Sequence, residues 1–129
     1  MFVQLDQPDA AGHKHGYHSK SYLAAISESD RHTGIIIEAI KRAGKLDDSL
    51  IVITSDHGGG GSHGRFTHGS DHPNDMTVFW GCHGPGIMKG TGLPIGMKNM
   101  DTAAIVLHAL GLSVPENMDA KVPNMLFQK

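Results

Sequence analysis

Two short stretches of this sequence carry residues of the types and spacing that hold metal ions: Asp9 with His13, four residues apart, and the adjacent pair Asp56 and His57. Carboxylate oxygens and neutral imidazole nitrogens both suit zinc, with bond lengths of about 2.0–2.2 Å. A spacing of four places Asp9 and His13 on one side of a helical turn. Asp56 and His57 are neighbours, and both aim inward only from a tight turn at the exit of a strand. The run Gly58 to Gly61 that follows permits such a turn. Two divalent ions about 4 Å apart polarise a phosphoryl oxygen, activate a nucleophile and stabilise a leaving oxygen together. The composition agrees with a metal reading: ten histidines outnumber nine leucines, although leucine is normally among the commonest residues and histidine is the commonest metal ligand.

Simpler roles exist for several of these residues. An Asp following a strand, such as Asp6 or Asp9, also serves as a turn former or helix cap. His15, His18, His32, His83 and His108 read as surface or packing residues, His108 falling on a helix face beside Leu107. The glycine run lacks the Gly-Lys-Ser/Thr ending and the following helix of a P-loop. Ser55, Ser62 and Thr67 are hydroxyls near the clusters, but no nucleophile elbow singles one out.

The elements that must position these residues follow from periodicity. Phe2 to Leu5 (FVQL) is short and apolar and predicts a buried strand. Ser19 to Ala43 predicts a long helix, with Leu23, Ile26, Ile36, Ile37 and Ile40 at helical spacing and Gly44 as its stop. Thr33-Gly34 weakens its middle. Leu50 to Thr54 (LIVIT) predicts a central strand. Ser55 to Asp75 has no apolar period, and a loop of about twenty residues is more often functional than idle. Met76 to Trp80 (MTVFW) predicts another strand, and Asp101 to Leu110 a helix capped by Asp101 and stopped by Gly111. The order β-α-β-β-α predicts an α/β fold with a mostly parallel sheet flanked by helices. In such sheets ligands bind beyond the carboxyl ends of the strands, where both Asp/His clusters fall. So few strands would leave open sheet edges, which suggests an incomplete portion of a larger domain.

Composition excludes other classes. The chain has 129 residues, enough for one domain. A net charge of -2 and a pI near 6.5 give no footprint for nucleic acid or an anionic membrane. No apolar run is long enough to span a bilayer, and MFVQLDQPD is not a signal peptide. Cys82 is the only cysteine, so neither an internal disulfide nor a thiolate zinc site can form. The compartment stays open.

The stretches LDQPDAAGHKHGYHSKSY, VITSDHGG, MTVFWGCHGPGI and NMDTAAIVLHALGL resemble the alkaline phosphatase superfamily, and most closely its type I phosphodiesterase/nucleotide pyrophosphatase branch. The resemblance covers nearly the whole chain in the correct order. It implies metal-dependent hydrolysis of phosphodiester or pyrophosphate bonds in a small-molecule substrate, with two Zn2+ ions and a Thr or Ser nucleophile that becomes phosphorylated. By matching motif, Asp9 and His13 correspond to ligands of one zinc, and Asp56 and His57 to ligands of the other. The first zinc takes a further histidine from a His-Gly pair; His63-Gly64 and His68-Gly69 both match, and His68 is preferred for its spacing from the strand expected at Met76. The nucleophile and one further ligand aspartate correspond to no residue of this chain. The resemblance thus makes residues 1–129 the C-terminal part of the hydrolase domain, with an N-terminal half as the missing partner. Two other readings remain: a sulfatase or phosphoglycerate mutase relative of the same superfamily, and a non-catalytic metal-binding domain.

Overall fold

The computed structural model describes residues 1–90 and 92–128. Its elements are α1 (Gln7–His15), α2 (Lys20–Arg42), β1 (Ile51–Thr54), α3 (Pro73–Met76), β2 (Trp80–His83) and α4 (Asp101–Ala109), with a short 3-10 turn, Leu46–Asp48, before β1. The fold class is α/β. The elements fall into two units, one formed by Met1–Leu46 and Ser55–Phe79, the other by Asp47–Thr54 and the chain from Trp80 onward.

In the first unit α1 packs against α2. The side chain of Ser19 accepts the N–H of Tyr22 at 3.2 Å and caps the start of α2. At its end the Gly44 N–H donates to the Lys41 carbonyl and the Lys45 N–H to the Ile40 carbonyl, the pair of bonds that closes a Schellman motif. Gly44 stands at φ +66°, a conformation costly to any residue with a Cβ. The helix runs unbroken past Thr33-Gly34, and none of its residues is fully buried. The loop after Ser55 contains no strand and no helix before α3.

The second unit holds the sheet. β1 and β2 pair antiparallel, from Ile51 opposite His83 to Thr54 opposite Trp80. Ile87, Ile105 and Leu126 form its buried core, with Leu50, Trp80, Cys82, Met97 and Phe127 packed around them. α4 ends in the same motif as α2, through the Gly111 N–H to His108 and the Leu112 N–H to Leu107. His108 stands edge-on to Phe127, ring centroids 4.6 Å apart, a packing role.

Four expectations need correction. The one sheet among the described residues is antiparallel, not parallel. Phe2–Leu5 is not a strand: it has no strand in its own unit to take its backbone groups, and Phe2 is 88% exposed. The strand expected at Met76–Trp80 starts only at Trp80, because the Met76 and Thr77 N–H groups are spent on the carbonyls of His72, which precedes α3, and Pro73, its first residue. Asp101 does not cap α4 but is its first residue; its carboxylate accepts the backbone N–H groups of Lys98 and Lys121, each at 2.8 Å.

Candidate metal centre

Every residue singled out for metal chemistry lies in the first unit. Pro8 sits in the first turn of α1, where its missing N–H costs nothing. Asp9 follows it in that turn, while His13, Lys14 and His15 occupy the last, an arrangement that suits the helix dipole. One helical turn brings Asp9 Oδ2 within 3.5 Å of His13 Nε2. From the long loop, His68 Nε2 comes within 3.8 Å of Asp9 Oδ1. Asp9, His13 and His68 each offer a ligand atom, and the three atoms lie within 4.8 Å of one another. Tetrahedral zinc with bonds of about 2.0–2.1 Å separates neighbouring ligand atoms by about 3.3 Å, so a small inward movement would suffice. The donor set of one carboxylate and two imidazoles fits such an ion.

The hydrogen bonds support ligation by Nε2. His13 Nδ1 lies 2.8 Å from the Phe66 carbonyl. A carbonyl only accepts, so Nδ1 carries the proton and the neutral ring presents its lone pair at Nε2, towards Asp9. That arrangement commonly orients a metal-binding histidine.

Asp56 and His57 follow β1 in sequence. His57 Nδ1 donates to the Gly58 carbonyl at 2.7 Å, leaving Nε2 3.6 Å from Asp56 Oδ2 and 3.9 Å from Asp9 Oδ1. The His57 ring stacks on His68, centroids 3.6 Å apart and planes within 17°. His57 therefore borders the three-residue group, whereas the Asp56 side chain is 82% exposed and stands beside His57. His63 is exposed and stands outside the group.

A buried polar network shapes the loop that delivers His68. Asp75 is 3% exposed. Its Oδ1 accepts the Gly61 N–H at 2.9 Å, and its Oδ2 accepts the N–H and the hydroxyl of Ser70 at 2.9 and 2.6 Å. Backbone bonds from Gly58 to Asp75 and from Gly59 to Asn74 close the same loop. The Ser70 hydroxyl, then the Ser70 and Gly61 N–H groups, hold the Asp75 carboxyl below its ordinary range.

Tyr17 is buried, 5% exposed, and its hydroxyl donates to Asp9 Oδ1. Burial first, and the hydrogen bond to Asp9 second, push its phenol well above the ordinary tyrosine value. Sequence reasoning missed Tyr17, Ser70 and Asp75. A tyrosine just past the His13 turn, beside Gly16, was the only visible hint of the first. Nothing in the spacing marks the other two.

An α/β fold with a convergent Asp/His group defines a candidate metal-binding α/β protein. The particular assignment comes from comparison: the chain matches the type I phosphodiesterase/nucleotide pyrophosphatase family over residues 1–106 and belongs to it. Ectonucleotide pyrophosphatase/phosphodiesterase family member 1 of Mus musculus is 26% identical, over 98% of this chain and 13% of its own. Family member 7 of Rattus norvegicus is 38% identical over 43% of this chain and 13% of its own. A choline-sulfatase of Rhizobium meliloti is 32% identical over 75% of this chain and 19% of its own. The chain thus spans less than one fifth of the length of these relatives. No solved structure matches it. Among the described residues, no helix is long and apolar enough to cross a membrane.

Proposed function

We propose that this chain supplies most of the metal ligands of a zinc-dependent phosphoesterase that cleaves phosphodiester or pyrophosphate bonds in small molecules. The observation that carries the reading is the convergence of Asp9, His13 and His68 from two separate stretches of one unit, with ligand atoms within 4.8 Å. Asp9, His13 and His68 would hold one zinc, and Asp56 and His57 would contribute to a second. Two ligands are too few for a closed tetrahedral site, so the second ion needs further donors from outside the chain. A bound pair of ions would stabilise charge on the attacking and leaving oxygens of an in-line displacement.

The chain's own residues then have definite tasks. Asp9 brings negative charge at the start of α1, and His13 is held with its lone pair inward by the Phe66 carbonyl. The loop from Gly58 to Asp75 carries His68 and is fixed by the Asp75 network. None of the chain's hydroxyls is assigned as nucleophile; that group comes from a segment other than this one. Residues 1–129 form the C-terminal part of the hydrolase domain on this reading.

A second reading, sulfate ester hydrolysis, is favoured by the choline-sulfatase relative. Zinc-dependent cleavage of bis(4-nitrophenyl) phosphate and of 4-nitrophenyl sulfate separates the two. Both substrates are to be offered to this chain alone and to the chain joined behind the N-terminal portion of a full-length family member. Phosphodiester cleavage by the joined protein, abolished by Asp9→Asn, is the expected result. Cleavage of the sulfate ester instead would favour the second reading. Equal phosphodiester turnover by the chain alone would refute a nucleophile supplied from elsewhere, and metal binding without turnover in either protein would indicate a non-catalytic domain.

A further inference from the structure

We infer that Tyr17 is a positioning residue for the metal group, its buried phenol fixing the orientation of the Asp9 carboxylate by donating to Oδ1. The inference rests on the metal reading given above. A carboxylate free to rotate offers either oxygen, or both, to an ion. A phenol donating to Oδ1 removes that symmetry, and a hydrogen bond to a charged acceptor is among the stronger ones. Held this way, Oδ2 faces His13 Nε2 at 3.5 Å and Oδ1 faces His68 Nε2 at 3.8 Å, so the fixed carboxylate presents one oxygen to each histidine of the group.

Three further observations single out this ring. It meets all three residues of the group: besides the bond to Asp9, its ring stands edge-on to His13 at 5.8 Å and to His68 at 6.2 Å. It has little room to move, because the backbone at both Gly12 and Gly59 closely approaches it. A Cβ on Gly12 would lie 2.6 Å from the ring, and one on Gly59 would lie 2.3 Å from it. Its backbone is tied as well, the Tyr17 N–H donating to the Arg65 carbonyl at 2.7 Å. Gly12 lies between Asp9 and His13 on α1, and Gly59 lies two residues after His57. One ring thus sets the spacing of the two stretches that carry the ligands.

The test is a Co2+ titration of the purified 129-residue chain, read by its visible absorption bands, which report coordination number and geometry. Wild type is compared with Tyr17→Phe, which keeps the ring and removes only the hydroxyl, and with Asp9→Asn. Loss of a partner hydrogen-bonded to a ligand typically weakens metal affinity about 10- to 100-fold; that loss, with altered bands, is expected for Tyr17→Phe. Asp9→Asn is expected to lose the site. Wild-type affinity and bands in Tyr17→Phe, with binding lost in Asp9→Asn, would overturn the role of Tyr17 and leave the metal reading standing. Wild-type binding by Asp9→Asn would overturn both.

A second measurement needs no variant that must fold. The chain has two tyrosines, so the isotope-labelled Cζ of each gives one NMR signal. Adding Zn2+ to wild type is expected to move the Tyr17 signal more than that of Tyr22. Zinc binding that leaves the Tyr17 signal in place would overturn the inference.

Discussion

Alanine at Gly12 and alanine at Gly34 are the same change in the same kind of secondary structure, yet the packing gives them different outcomes. Both glycines are interior to helices, α1 and α2, where alanine is favoured by roughly 0.8–1.0 kcal/mol. At Gly34 a Cβ would meet nothing within 4 Å, so that gain should appear in full. At Gly12 the new Cβ would lie 2.6 to 2.8 Å from three atoms of the Tyr17 ring. Gly59 approaches the same ring so closely that a Cβ there would lie 2.3 Å from it, which leaves the ring little room to move. Overpacking of this kind costs about 1–3 kcal/mol. The propensity gain is common to both variants, so Gly12→Ala should be less stable than Gly34→Ala by about 1–3 kcal/mol. Urea unfolding followed by circular dichroism reads the difference as a shift in midpoint at unchanged slope. Equal midpoint shifts in the same direction would refute a closely packed Tyr17 and the packing that places Asp9.

Other consequences are as direct. His68→Ala, which removes a ligand outright, is expected to weaken zinc binding by about 100-fold or more while His63→Ala leaves it unchanged, as isothermal titration would record. Gly44→Ala forces a Cβ into φ +66° without a compensating helical gain and should cost about 1–2 kcal/mol in urea unfolding. Asp75 has a lowered folded pKa, so its contribution is complete above the ordinary carboxylate value of 3.8 and is lost as pH falls through the lowered one. The wild-type urea midpoint should therefore fall on acidification with a steeper slope than that of Asp75→Asn, by up to about one proton.

What was legible in the sequence was what local rules decide. The bounds of α2 follow from Ser19 and Gly44, whose side-chain oxygen and absent Cβ satisfy the orphan groups of a helix whatever surrounds it. β1 follows from four consecutive strand-favouring residues. Asp9 and His13 share a face because four residues make about one turn. The failures share a cause as well. FVQL has strand composition, but a strand exists only with a neighbour to bond, and none lies in its unit. At Met76 a local turn anchored by a buried Asp75 overrode β-propensity. Tyr17 and Asp75 act through contacts with residues distant in sequence, Tyr17 with Gly59 and His68, Asp75 with Gly61. Their importance lies in tertiary packing, which no spacing rule encodes. The choice between His63 and His68 is of the same kind: the preference for His68 leaned on a strand expected at Met76, which is the end of α3, whereas the folded loop brings His68 Nε2 within 3.8 Å of Asp9 Oδ1.

The central claim, that Asp9, His13 and His68 together hold a zinc ion, is tested most directly by the metal content of the purified chain. Elemental mass spectrometry of wild type beside an Asp9→Ala, His13→Ala variant, both isolated from zinc-supplemented cultures, gives the answer. Zinc bound to wild type and absent from the variant is the predicted result. Equal zinc in both, or none in a folded wild-type chain, would contradict it.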